Sequence, residues 1–257
     1  MIEIRSIREA EAPGFLRLLC EVFELDYNRA SGVFFHEPMF DLKRKWGLFD
    51  SGEMVSILTT VPLEFGWGKA IGIAGVATVV SRQGKGLAGM LLKHVLDESH
   101  KAGESAAFLF AREKGLYERC GFEVIDEVVR AEMDCEVEDG LSDSLMFDEV
   151  QEVYSRWSEG HPARLKRDER RWKFWKWNLR VCASFGDGYI CHEGKVIREI
   201  VVPTQPSAWA MPPNVEWVGL RSMADGLGLN LRKSETELFL MGLRSPDIPQ
   251  MFMTDQF

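Results

Sequence analysis

The chain has 257 residues, enough for one large domain or two of ordinary size. Apolar residues make up 46% and charged residues 28%, and eight Trp with sixteen Phe supply material for a real core, which excludes a disordered chain. A formal net charge of -9 argues against a general nucleic-acid binder and is compatible with a cationic small substrate.

Residues 2–7 alternate apolar and polar, the pattern of a half-buried strand. A helix is predicted over 9–23, with Phe15, Leu18, Leu19 and Phe23 on one face and Pro13 in its first turns. Residues 25–44 read as loop with a short helix. Strands are predicted over 45–49, 54–65 and 69–80, separated by the turns DSGE and GWG. An amphipathic helix over 87–99 carries Leu91, Leu92, Val95 and Leu96 on one face. A short strand over 105–110, a short helix over 113–122 and an alternating strand over 123–133 complete the first half. Meander strands followed by a strand–turn–helix–strand unit imply an α+β fold: a mixed sheet with helices on its faces.

After the acidic link DCEVEDGLSD, residues 145–160 read as helix. The stretch 161–180 is dense in Arg, Lys and Trp. Strands are predicted over 180–185, 188–191, 195–202, 215–220 and 235–243, with a short helix in RSMADGLGLN. This half reads as a second, smaller α+β unit.

The five cysteines, Cys20, Cys120, Cys135, Cys182 and Cys191, include no CxxC pair. Neither a zinc site nor a disulfide framework is therefore expected, and a reducing, cytoplasmic compartment fits best. The N-terminus is charged from Glu3 onward and lacks the apolar core of a signal peptide. No uncharged apolar run is long enough to span a membrane, so no membrane partner is expected.

Within VVSRQGKGLAGMLLKHVL an apolar strand breaks at Gln83, Gly84, Lys85, Gly86, Leu87 and Ala88 before helical periodicity resumes. A tight strand-to-helix turn is one reading, its glycines supplying unusual φ values. The other is an anion site, in which free N–H groups and the helix dipole converge on a phosphate or pyrophosphate. The sequence matches neither GxGxxG nor GxxxxGK[ST].

Here the chain resembles the GCN5-related N-acetyltransferases (GNAT). Gln83-Gly-Lys-Gly86-Leu-Ala88 matches the Q/R-x-x-G-x-G/A signature, GVATVV resembles the fourth strand, SAAFLF the fifth, and LYERCGF the helix that often carries a Tyr. The resemblance implies the acyl-CoA N-acyltransferase fold, with a splayed central sheet, and acetyl-CoA as cosubstrate. Its pyrophosphate would sit on the 83–88 turn, and its pantetheine arm and acetyl carbonyl would pair with strand backbone near Val76 and Thr78. Val80 stands where the family usually has Pro.

Acyl transfer to an amine needs a proton removed from the amine and one supplied to the departing thiolate. Tyr117 occupies the place of the family's acid; a Tyr merely packed on the sheet is the plainer reading. No motif nominates a base among His36, His94, His100, His161 and His192, while Glu24 and Asp26 end the first helix near the family's acceptor site. The two-part organisation resembles the enhanced intracellular survival acetyltransferases, which join a GNAT domain to a degenerate second copy and a sterol-carrier-like domain. In them the Tyr of Y-x-R-F-G-[YF] is the acid, and the chain's C-terminal carboxylate reaches the active site. Tyr117-Glu-Arg119-Cys120-Gly-Phe122 matches that motif except at Cys120, and GHPARLKRDERRWKFW resembles the Arg-then-Trp stretch of their second domain. The resemblance thus implies Tyr117 and the Phe257 carboxylate as catalytic groups, although a full third domain has no room after residue 243. A free α-carboxyl titrates near about 3.5, so that carboxylate is a weak base suited to orienting an amine.

Arg164, Lys166, Arg167, Arg170, Arg171, Lys173, Lys176 and Arg180 alternate with Trp172, Phe174, Trp175 and Trp177. A nucleic-acid platform, a membrane-surface helix, a segment lining the groove between the halves, and a helix packing its Trp residues on the second sheet all fit. The net charge favours the last. The expected division is residues 1–133 as an acetyl-CoA-binding N-acetyltransferase domain and 134–257 as a second GNAT-like domain with a tail. The expected function is direct acetyl transfer to a primary amine of a small cationic, conceivably polycationic, acceptor, with no metal and no nucleic-acid partner. A homo-oligomer is compatible with the sequence. Another acyl-CoA, a non-amine acceptor, or a non-catalytic acyl-CoA-binding regulatory module remain as alternatives.

Overall fold

The computed structural model describes residues 1–134, 142–178, 181–185, 187–203 and 214–257. Cys135, Arg180 and most of the acidic link lie outside them. The first half runs β1 (Ile2–Ser6), α1 (Ala12–Phe23), α2 (Tyr27–Phe34), β2 (Lys45–Asp50), β3 (Glu53–Phe65), β4 (Gly68–Thr78), α3 (Leu87–Lys101), β5 (Ala106–Ala111), α4 (Gly115–Glu118) and β6 (Glu123–Met133). The second runs β7 (Ser142–Ser144), α5 (Phe147–Glu159), β8 (Leu165–Lys166), α6 (Glu169–Trp177), β9 (Val181–Phe185), β10 (Gly188–Glu193), β11 (Val196–Val201), β12 (Glu216–Leu220), α7 (Arg221–Leu227) and β13 (Leu231–Leu243).

The strands form one mixed sheet in the order β1-β2-β3-β4-β5-β13-β6-β12-β11-β10-β9-β7, with β8 pairing β3. The order reads the same from either end: each half contributes five strands outward, and its sixth crosses over. β13 pairs antiparallel with β5 of the first half, and β6 with β12 of the second. The parallel pair β4–β5 has its counterpart in β11–β12. The exchange joins the halves through a long backbone ladder between β6 and β13, broken by three register shifts.

Pleat alternation decides which helix covers which face. In β3 and β4, Ile57 and Ala77 pack with Phe15 and Leu16 of α1, whereas Leu58, Ile71 and Ile73 pack with Leu91, Leu92 and Val95 of α3. A third cluster fuses the halves, placing Leu63, Ala70 and Phe108 with Trp157, Trp172 and Trp217. Each Leu, Ile, Val or Phe among them, fully buried, contributes roughly 1.5–3 kcal/mol.

The second half corrects the cysteine expectation. Cys182 and Cys191 lie directly opposite on β9 and β10 and form a disulfide, Cα atoms 4.3 Å apart. Strand pairing, not sequence spacing, brings them together. β13 begins four residues before the predicted strand, and the helix predicted over 113–122 is confined to α4. Among the described residues no helix is long and apolar enough to cross a membrane.

Candidate active site

The site begins where two parallel strands part. β4 pairs with β5 only from Ala70–Ala106 to Ile73–Leu109. The ladder between β3 and β4 then shifts register between Ile57 and Thr59, and Gly75 takes a left-handed φ of 58°. Such a bulge bends a strand and ends its pairing. The Val79 N–H donates to the Val55 carbonyl. By strand alternation, Ala77 also faces β3, while the main chain of Val76 and Thr78 faces the opening. The Thr78 carbonyl accepts from Gln83 Nε2 at 3.2 Å, and its hydroxyl shares a hydrogen bond with Ser56 at 2.8 Å. Gln83 therefore braces the turn against the end of β4.

Gly84 and Gly86 adopt φ values of 76° and 77°. L-residues strain in that region by about 1–2 kcal/mol. A Cβ at either position would meet nothing within 4 Å, so the glycines serve backbone conformation and the space above them is open. Gly86 caps the fifteen-residue α3 without a side-chain hydrogen bond. Among the described residues, nothing accepts a hydrogen bond from the N–H groups of Gly84 to Gly89. Lys85 is exposed beside them. Unpaired N–H groups, a positive helix end and a nearby ammonium suit a phosphate-bearing ligand.

Tyr117 lies on the α3 face of the sheet, in the cluster that holds Val76, Val79 and Leu87. Its ring meets Phe122 edge-on at 6.2 Å between centroids. Burial, and secondarily the Cys120 thiol, push the phenol above its ordinary value, so it keeps its proton at neutral pH. Among the described residues its hydroxyl has no hydrogen-bond partner.

The opposite face holds a cavity of about 770 Å³ between α1, α2, β4 and α6. Its walls include Leu16, Phe34, Val61, Ala74 and Phe174. The chain terminus lies in it. The Phe257 ring packs on Phe110 of β5 at 5.4 Å between centroids and covers Gly72 of β4, where a Cβ would stand 2.5 Å from the ring. Phe257 thus touches both strands around the point where their ladder ends. Tyr117 and Phe257 occupy opposite faces of the same opening.

The second half fixes the tail there. Arg167, buried on the tail's inner side, donates to Asp255 from Nε at 2.9 Å and Nη2 at 2.7 Å. It also donates twice to Glu199 on β11, at 3.0 and 2.8 Å. Trp175, Tyr189 and Thr254 donate to the same Glu199 carboxylate. Burial alone would raise the Glu199 carboxyl, but the Arg167 charge and these hydrogen bonds hold it below the ordinary carboxylate range. Arg171 spans from Asp255, at 3.8 Å, to the Pro62 carbonyl of β3 at 2.8 Å. Arg170 clamps the loop after α2 through the Pro38 and Phe40 carbonyls, both at 2.8 Å.

The basic Trp-rich stretch therefore turns one side inward, while Lys173, Lys176 and Trp177 stay exposed. Trp172 and Trp175 are core, and Arg171 and Phe174 line the cavity. Glu24 and Asp26 also line it, with Asp26 capping α2 through the Arg29 N–H at 2.8 Å. No histidine does so among the described residues; His94 instead packs edge-on against Trp46 on the α3 side. Sequence reasoning missed Gly72, Lys45 and the Arg167–Glu199–Asp255 cluster. Lys45 sits on the cavity wall against the Phe34 ring at 4.7 Å, 3.6 Å from Glu37, and burial lowers its ammonium despite that carboxylate.

A central sheet splayed beside a glycine-rich strand–turn–helix unit is the architecture of the acyl-CoA N-acyltransferases, the GNAT fold. Residues 3–125 match the family model described as an acetyltransferase (GNAT) domain. The fold extends over most of the chain. A GCN5-related N-acetyltransferase from Kribbella flavida covers 94% of this chain and 70% of its own, at 16% identity and a TM-score of 0.72. One from Anabaena variabilis ATCC 29413 covers 94% and 72%, at the same identity and TM-score. Eis1 from Mycobacterium abscessus covers 93% and 73%, at 15% identity and a TM-score of 0.65. No curated protein matches the chain.

Proposed function

We propose that the protein transfers the acetyl group of acetyl-CoA directly to a primary amine of a small molecule. In this reading residues 1–133 form the acetyl-CoA-binding unit, and residues 134–257 a degenerate second copy that carries the tail. The palindromic strand order supports that division, with β13 and β6 as the exchanged strands. The observation that carries the function is the unpartnered run of N–H groups from Gly84 to Gly89, opening α3 beside the parting of β4 and β5. Those groups and Lys85 hold the pyrophosphate, with Gln83 bracing them and Leu87 and Ala88 beginning the helix. The backbone of Val76 and Thr78 receives the pantetheine arm and polarises the acetyl carbonyl.

The acceptor enters from the α1–α2 face. Its nitrogen forms a bond to the carbonyl carbon as the carbon–sulfur bond breaks. The Phe257 carboxylate orients the ammonium and relays its proton through water, and Tyr117 gives a proton to the departing sulfur. The two groups lie on opposite faces of the opening, which separates the path of the amine's proton from that of the proton given to sulfur. The test is an amine panel with acetyl-CoA, followed by release of free thiol. Amine-dependent release with acetylated product supports the reading. Tight acetyl-CoA binding without turnover for any amine favours the non-catalytic module.

A further inference from the structure

The reading above leaves the acceptor unnamed, and the cavity restricts it. Its charges are largely committed. Lys45 and Glu37 face each other at 3.6 Å, and Arg171 is held by Asp255 and the Pro62 carbonyl. Beyond these, Glu24, Asp26 and Arg29 are exposed to water at the mouth, and Phe257 lies further in. The inner space therefore offers one carboxylate, that of Phe257, to one ammonium and no partner to further positive charges. Three aromatic rings, Phe34, Phe174 and Phe257, stand around the remaining space with aliphatic neighbours. Apolar character continues to the mouth, where Leu25 is 50% and Val33 51% exposed.

Resting on the transferase reading, we infer that the acceptor is a primary amine with one positive charge and an apolar, aryl-sized body. This departs from the polycationic acceptor considered from the net charge alone. A polyamine would carry charges into an apolar space already holding buried Lys45 and Arg171, and uncompensated buried charge is costly. An aryl group replaces water against rings that accept edge or stacked contacts. The ammonium meets the terminal carboxylate, while the body lies along Phe174 and the α1–α2 wall.

The experiment compares phenethylamine, ethylamine and spermidine with the full chain and saturating acetyl-CoA. Burying the phenyl group predicts that kcat/KM for phenethylamine exceeds that for ethylamine by about 10–100-fold. Spermidine falls below phenethylamine by about tenfold or more. Phe174→Ala narrows the phenethylamine-to-ethylamine ratio several-fold, by about fourfold for each methylene equivalent no longer covered. Spermidine as the best substrate, or all three constants within about twofold, overturns the inference while leaving the transferase reading intact. Saturation-transfer NMR separates the two failures. Phenethylamine that binds in preference to spermidine yet is never acetylated supports the inferred site and defeats the transferase reading. Absence of both binding and acetylation defeats the inference too.

Discussion

Gly72→Ala isolates the seat of the C-terminal residue. The added methyl would stand 2.5 Å from Cδ2 and Cε2 of Phe257 and 2.7 Å from Cγ. Carbon contacts settle at about 3.5–4.0 Å, so the ring must retreat by about 1 Å. β4 cannot yield instead, because Gly72 is paired with Val61 on one side and Phe108 on the other. Fold stability should hold or rise slightly, since Gly within a strand costs roughly 0.5–1 kcal/mol relative to Ala. Activity should not hold: a 1 Å misplacement of a reacting group is worth about 10²-fold. Thiol release at saturating acetyl-CoA should therefore show kcat lowered about 10²-fold, with an unchanged melting temperature and acetyl-CoA affinity. Gly72→Ala combined with Phe257→Ala should be no worse than Phe257→Ala alone, because the clash needs the ring. A folded Gly72→Ala protein with kcat within about twofold of the parent, or a double variant whose losses simply add, would refute the reasoning.

Gly86→Asp imposes left-handed strain on a residue with a Cβ and sets a carboxylate among the N–H groups of the turn. Calorimetry should find acetyl-CoA binding abolished in a protein that still melts cooperatively; unchanged affinity rejects the anion site. Tyr117→Phe should lower kcat about 10²–10⁴-fold with little change in acetyl-CoA affinity. Because burial raises the phenol above its usual pKa, the parent should lose no activity to Tyr117 ionisation at any pH below about 10. A pH–rate profile with a basic limb near neutrality that vanishes in Tyr117→Phe would contradict that assignment. Arg167→Met leaves Glu199 and Asp255 buried without their shared cation and should cost about 3–5 kcal/mol in urea unfolding. A loss below about 1 kcal/mol would mean that the cluster does not hold the tail.

The parts of the site legible in the sequence are those built from consecutive residues. The turn at Gln83 to Ala88 announces itself because its glycines, its strand and its helix are contiguous, and Tyr117 follows one short strand later. The strand pattern of each half is readable for the same reason, since alternation is local. What escaped depends on pairing between distant segments. Leu231–Leu243 reads as a strand, but nothing in it says that it crosses to β5. Arg167, Glu199 and Asp255 are separated by 32 and 88 positions in their hydrogen bonds, and only the fold joins them. Cys182 and Cys191 lack any motif spacing and meet through a hairpin register. Gly72 looks like an ordinary strand glycine until the last residue of the chain lies on it.

The account turns most directly on whether the terminal carboxylate takes part in transfer. Appending three glycines after Phe257 moves that charge while leaving every side chain, and the Arg167–Asp255 anchorage, in place. Steady-state kinetics with the best amine should then show kcat lowered by about 10²-fold. The KM for acetyl-CoA should stay as it was, because the anion site at Gly84 to Gly89 is untouched. An extended protein with the parent's kcat and amine KM would contradict the account, and the base would have to be sought at Glu24, Asp26 or a bound water.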